Sequence, residues 1–335
     1  MNLLRFPFSL SVVLDVRDTD SPALPRVLEG LKAQTLPRRH WHLIVLDRRS
    51  HPSAELPDLL AWHPKVTVLR HDGDAALPLS VRTVLACRTD LVAVLDGRTV
   101  LEADYLCCAM RLAGEHPFAG LFGGRVDAQL VATKPRWQRP FFKLFGINEV
   151  PQDRSCARAD RRHMPSAGAY LVRREHLRRV AHILLHHPFF QEPAFRAQRD
   201  AFDYRAATAR TVVQAGASIA LFAELRASRL LFRSDLRERA IQREVCRDAF
   251  SRVVERFVWT GILPDLETPS RWERLSLRWL RFWQFGRLAR LRAAHRAGVV
   301  QALDLTAAHR VSATPTPTRA PASSAKPQGF APSAH

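Results

Sequence analysis

An α/β fold on a doubly wound sheet is what this sequence predicts, and three observations predict it. Short apolar, β-branched runs alternate with stretches of helical periodicity through the first hundred residues. Several of those runs end in an aspartate, at Asp15, Asp47 and Asp96. The chain of 335 residues, 47% hydrophobic and 25% charged, is long enough and apolar enough to bury a large core.

In chain order, residues 9–15 (SLSVVLD) read as a first strand, and residues 23–35 place Leu24, Val27, Leu28 and Leu31 at the spacing of one helix face. Residues 41–47 (WHLIVLD) predict a second strand, 56–62 a helix, 66–70 (VTVLR) a strand, 78–86 a helix and 91–96 (LVAVLD) a strand. Alternation of this kind predicts parallel pairing. A helix over 104–116 follows, then a glycine-rich loop at 120–129, an irregular Pro- and Arg-rich stretch to Pro165, and a strand over 166–174. Residues 203–215 read as a helix closed by Gly216, and residues 218–223 as a last strand. Beyond Ser228 the pattern is predominantly helical, and residues 311–335, rich in Pro, Ser, Thr and Ala, predict a disordered tail. The expected organisation is therefore a domain over 1–228, divided into halves at 1–105 and 106–228, a basic amphipathic helical region at 229–310, and the tail.

Composition excludes several classes. Five cysteines without a C-x-x-C pair argue against a disulfide framework or a tetrahedral zinc site, and fit a reducing cytoplasm. The opening residues lack a cleavage site and read as a strand, not a signal peptide, and no run of 18 uninterrupted apolar residues predicts a membrane-spanning helix. The net charge of +19 predicts attraction to anionic partners. Only five of the 51 basic residues are lysine, an arginine skew that a GC-rich genome produces by itself, so the charge is weak evidence. A nucleic-acid-binding protein is disfavoured, because no helix-turn-helix, zinc-finger or RNA-binding aromatic motif accompanies the arginines.

In doubly wound sheets ligands sit at the carboxyl ends of the strands, so Asp15, Asp47 and Asp96, each closing a strand, point to one site. An aspartate that merely opens the next turn is the ordinary alternative for any one of them.

The string LPRVLEGLKAQTLP at 24–37 followed by WHLIVLDRRS at 41–50 resembles the opening of the family 2 glycosyltransferases of the GT-A fold. VAVLDGRTVLEADYL at 92–106 resembles that family's strand bearing its Asp-x-Asp signature. GLFGGRV at 120–126, KPRWQRP at 134–140 and MPSAGAYLVRREHL at 164–177 are similar to its central loop and to its Gly-Ala strand. The resemblance, which spans residues 9–228, implies a GT-A doubly wound mixed sheet with a helical C-terminal extension. It also implies transfer of a sugar from a nucleotide-diphosphate sugar to a glycan or lipid-linked acceptor, at the cytoplasmic face of the membrane, in surface polysaccharide assembly.

What the resemblance implies residue by residue is a nucleotide-sugar site at Asp15, Asp47, Arg48, Asp96 and Arg98. The departures matter. The family's Asp-x-Asp reads Asp96-Gly97-Arg98, so Arg98 stands where a ligand to Mg²⁺ or Mn²⁺ is expected, and a hard cation would be held poorly. Arg48 likewise follows Asp47 where a second acid usually meets the base. The family's acidic pair before the Gly216-like turn aligns with Tyr204 and Arg205, which leaves Asp203 and Asp200 as candidates for the general base. Asp203 serves equally well as a helix cap. Two readings remain: a transferase in which arginines replace the metal, or a degenerate one that binds without turnover.

Trp137, in the central loop, either stacks on a sugar face or anchors the loop. His182, His186 and His187 have metal-compatible spacing but no supporting acid, so a surface helix is the better reading. Residues 271–285 (RWERLSLRWLRFWQF) set Trp272, Leu275, Trp279, Phe282 and Trp283 beside four arginines, a pattern that fits either an anionic membrane surface or a helix packed on the core.

Overall fold

The computed structural model describes residues 9–17, 22–51, 55–70, 79–130, 138–159, 163–198, 202–260 and 285–313. It contains strands β1 (Leu10–Val16), β2 (Trp41–Asp47), β3 (Val66–Arg70), β4 (Leu91–Asp96), β5 (Thr99–Leu101), β6 (Ala119–Leu130), β7 (Arg154–Cys156), β8 (Ala169–Arg173) and β9 (Ser218–Leu231). The helices are α1 (Leu24–Lys32), α2 (Leu56–Leu60), α3 (Leu79–Ala86), α4 (Tyr105–Glu115), α5 (Arg174–His186), α6 (Pro188–Gln191), α7 (Pro193–Gln198), α8 (Tyr204–Gln214), α9 (Glu238–Thr260) and α10 (Phe285–Ala313). The strands form one sheet in the order β3-β2-β1-β4-β8-β6-β9-β5, with β7 added beside β9. This is a doubly wound mixed sheet, with a helical extension at its C-terminal end.

The expected parallel pairing holds for β1 with β2 and β4, and for β2 with β3. The sheet is mixed, as expected, because β8 runs antiparallel to both β4 and β6. Parallel neighbours need a crossover that returns the chain to the opposite edge. Among the described residues between β6 and β8 the chain forms a 3-10 turn at Arg139–Phe145 and then β7, with no α-helix crossing back, and β8 runs opposite to β6.

The glycine-rich segment expected as a loop at 120–129 is instead the long strand β6. Its glycines mark close approach, not turning. A Cβ on Gly120 would meet His176 and Val212, one on Gly123 would meet Pro165, and one on Gly124 would meet the Leu225 backbone. The pairing of β6 with β9 shifts register at Gly124/Arg125, which fits a bulge where two backbones crowd.

Helices cover both faces. Leu24, Val27, Leu28 and Leu31 of α1 are all buried as their spacing requires, and with α4 they pack on Leu10, Val12, Leu14, Leu43 and Val45. The alternate residues Val13, Ile44 and Val92 pack on Ala206, Ala209 and Val212 of α8. The extension adds a third cluster, in which Phe250, Val253, Phe257, Ala302 and Leu305 of α9 and α10 meet Phe189, Phe190, Phe195 and Phe202. Gly298 lets α10 approach the Cys246 carbonyl of α9. Elements cross both expected boundaries, since β9 continues to Leu231 and α10 to Ala313. Residues 314–335 of the expected tail, and 271–284 of the aromatic-arginine segment, lie outside the described residues, as does any side chain of Phe285. Among the described residues no helix is long and apolar enough to cross a membrane.

Candidate functional site

Parallel register brings the strand-end acids together. Asp15 lies directly opposite Asp96, and Val16 opposite Asp47, so all three close neighbouring strands at one sheet edge. The pleat then separates them: Asp15 and Asp96 share the face that α8 covers, whereas Asp47, one residue out of step, turns to the other face.

Each acid carries its own arginine. Arg48 Nε lies 3.0 Å from Asp15 Oδ1, and Arg17 Nη2 lies 3.2 Å from Oδ2. Arg49 grips Asp47 with Nε at 2.7 Å and Nη2 at 2.9 Å, and the Asp47 side chain is fully buried. That bidentate pair fixes the turn after β2 and leaves Asp47 no open face.

Asp96 has the richest surroundings. Thr99 Oγ1 donates to its Oδ1 at 2.6 Å, and the Arg98 backbone N–H donates to the same oxygen at 3.1 Å. Arg229 pairs with Oδ2 through Nη1. The topology explains this convergence, because Thr99 and Arg229 are directly opposed across the β5–β9 pair and so present their side chains on one face. Gly146, at φ 78°, and Gly168 leave the room that the guanidinium fills, since a Cβ on either would lie 3.1 or 2.9 Å from Arg229 Nη1.

Arg98 itself points elsewhere. Its guanidinium lies 2.6 Å from Asp235 Oδ1 and over the Phe232 ring, 5.7 Å from the centroid. Asp235 Oδ2 accepts the Phe232 N–H at 2.9 Å, so the turn after β9 clamps the turn after β4.

Asp203 is the N-cap of α8. It accepts the Arg205 N–H at 3.1 Å through Oδ1, and Arg205 Nη2 lies 2.7 Å from Oδ2. Arg205 also donates to the Pro165 carbonyl at 2.6 Å. Burial, then the negative charges of Asp203 and Asp15, push the Tyr170 phenol well above its ordinary range, so Tyr170 is a neutral hydroxyl within electrostatic reach of both acids. Asp200 and Trp137 lie outside the described residues. His182 and His186 are exposed on α5 and stack on each other at 4.3 Å, as a surface helix allows.

The GT-A resemblance implies a divalent cation beside Asp96. The donor set does not suit one: a single carboxylate already engaged by a hydroxyl, an N–H and a guanidinium, with Arg98 where a second acid would stand. Among the described residues no group of three His, Cys, Asp or Glu side chains gathers as metal ligands.

Sequence reasoning missed Arg229, Asp235, Thr99 and Tyr170. The alternation of LRASRLL at 225–231 was a signal that the last strand runs on past Ala223, but nothing in it says that Arg229 faces Asp96.

No family model and no curated protein sequence matches the chain. Among solved structures it is similar to the mannosyltransferase PcManGT from Pyrobaculum calidifontis in complex with GDP-Man and Mn²⁺, at 15% identity and a TM-score of 0.49, over 91% of this chain and 80% of that one. It is also similar to S. aureus TarS, at 11% identity and a TM-score of 0.45, over 88% of this chain and 55% of that one. For residues 1–349 of TarS in complex with UDP the identity is 11% and the TM-score 0.44, over 91% of this chain and 92% of that one.

Proposed function

We propose that this protein is a glycosyltransferase that moves a sugar from a nucleotide-diphosphate sugar to a glycan or lipid-linked acceptor. The observation that carries the reading is the convergence of Asp15, Asp96 and their arginines at the carboxyl edge of a doubly wound sheet, where such folds bind nucleotides. Beside it stands the sequence resemblance over residues 9–228. In this reading Asp15 and Arg48 meet the nucleoside, and the turn at Asp96–Thr99 meets the diphosphate.

The chemistry asks for two things. The diphosphate must leave as an anion, which fixed guanidinium groups stabilise because they hold phosphate oxygens bidentately and do not lose charge near neutral pH. The acceptor hydroxyl must lose its proton as it attacks the anomeric carbon, a task that falls to Asp203 or Asp200. Asp203 has both oxygens bound by Arg205, one by its N–H and one by its guanidinium, so an acceptor hydroxyl reaches Oδ2 only where that guanidinium gives it up. That same chelate favours a second reading, a transferase-like protein that binds a nucleotide sugar without turnover. We further propose that residues 271–285 contact an anionic membrane surface, on the strength of their alternating tryptophan and arginine pattern.

The experiment is a panel of nucleotide sugars screened by thermal shift and then by release of the nucleoside diphosphate with mixed acceptors. A ligand at one hundred times its dissociation constant stabilises by about 2.7 kcal/mol. Binding with diphosphate release supports the transferase, binding alone supports the second reading, and no shift with any donor refutes both.

A further inference from the structure

Six arginines, Arg17, Arg48, Arg49, Arg98, Arg205 and Arg229, stand among five carboxylates, Asp15, Asp47, Asp96, Asp203 and Asp235. Their placements differ. Arg49 is committed to a buried carboxylate on the far face, Arg98 to Asp235 and the Phe232 ring, and Arg205 to the cap of α8. Arg229 alone among them pairs with Asp96, the first acid of the Asp-x-Asp pattern, whose second position, the expected metal ligand, is Arg98. It reaches that place from a strand far along the sequence, opposite Thr99, whose hydroxyl holds the other carboxylate oxygen.

We infer that Arg229 is the fixed cation of this site, taking the place beside Asp96 that a divalent metal would otherwise occupy and meeting the donor's diphosphate there. The inference rests on the glycosyltransferase reading above and deepens it. A guanidinium has five N–H donors, so one bond to Asp96 leaves donors for phosphate oxygens. The niche is shaped for it: Gly146 and Gly168 border Nη1 with no side chain, Ser166 Oγ donates to the Gly146 carbonyl and accepts the Gly168 N–H at 3.0 Å, and the Arg229 side chain remains 15% exposed. Asp96 then has an altered duty. It positions Arg229 and does not ligate a metal, so the effect of neutralising it should not depend on a divalent cation.

That change of duty separates the two accounts by their response to a divalent cation. Binding of UDP, GDP, ADP and dTDP to the full chain is measured by isothermal titration calorimetry, in EDTA and in Mn²⁺. The expected result is that at least one nucleoside diphosphate binds the native protein equally in both. Arg229→Gln should bind it roughly ten- to a hundredfold more weakly, on the scale of a hydrogen bond to a charged group. Arg229→Lys, which keeps the charge without the fork, should fall between and serves if Arg229→Gln does not fold. Asp96→Asn should change binding by the same factor in Mn²⁺ as in EDTA, because Asp96 holds Arg229 and not a cation. Loss of native binding in EDTA, a loss in Asp96→Asn that is seen in Mn²⁺ and not in EDTA, or native-like binding in both Arg229 variants would each overturn the inference while leaving a nucleotide-binding site in place. No binding of any nucleoside diphosphate to the native protein, with or without Mn²⁺, would instead overturn the glycosyltransferase reading, and this inference with it.

Discussion

The clamp between the turn after β4 and the turn after β9 can be measured as a coupling energy between Arg98 and Asp235. The pair is 2.6 Å apart and each side chain is 12% exposed, so it is neither a solvated surface pair nor a dry one. At an effective dielectric near 20, charges about 4 Å apart attract by about 4 kcal/mol, and desolvation of both groups offsets most of that. A net coupling of about 1 to 2 kcal/mol is expected, above the 0.2 to about 1 kcal/mol of exposed pairs. Asp235→Ala alone should cost more, about 2 to 4 kcal/mol, because it takes the Asp235 carboxylate from a partly buried Arg98 and removes the acceptor of the Phe232 N–H. Urea denaturation of the native chain, Arg98→Ala, Asp235→Ala and the double variant yields the coupling, and repeating the cycle at high salt should reduce it only slightly. A coupling below about 0.5 kcal/mol, on the scale at which independent sites add, would refute the clamp.

Two further outcomes follow from particular residues. Burial holds His63 neutral and pulls its imidazole down to about 4, and His42, His176 and His187 are lowered from the same first cause. A group with a depressed folded value binds protons more readily when unfolded, so stability should fall as pH drops from about 6.5 toward 4, and His63→Gln should flatten that slope; an unchanged slope in the variant removes His63 from the account. Gly146 and Gly216 both have positive φ, 78° and 79°, yet a Cβ at Gly216 meets nothing within 4 Å while one at Gly146 meets Arg229 Nη1 at 3.1 Å. Gly216→Ala should cost about 1 kcal/mol from backbone strain alone and Gly146→Ala measurably more, a ranking that thermal denaturation tests and that equal losses would contradict.

Much of the nucleotide-binding half was legible along the chain, for a local reason. The second, third and fourth strands begin and end where their apolar runs do, and α1 buries the four residues that its spacing put on one face, because alternation and helical periodicity are properties of contiguous residues. The placement of Asp15 beside Asp96 was legible too, since parallel strands of matched length must end together. Where three-dimensional packing decides, the sequence is silent. Glycines at 120, 123 and 124 look like a loop until the neighbours that crowd them are known, and they are then the condition for a strand. Arg98 and Arg229 are both arginines near a strand, and composition cannot tell them apart. Only the antiparallel register of β5 with β9 sets Arg229 across from Thr99 and onto Asp96, and only the turn after β9 draws Arg98 away to Asp235. The charges of the site were written in the sequence, but which acids Arg98 and Arg229 answer depends on contacts more than a hundred residues apart in the chain, and those exist only once the sheet has closed.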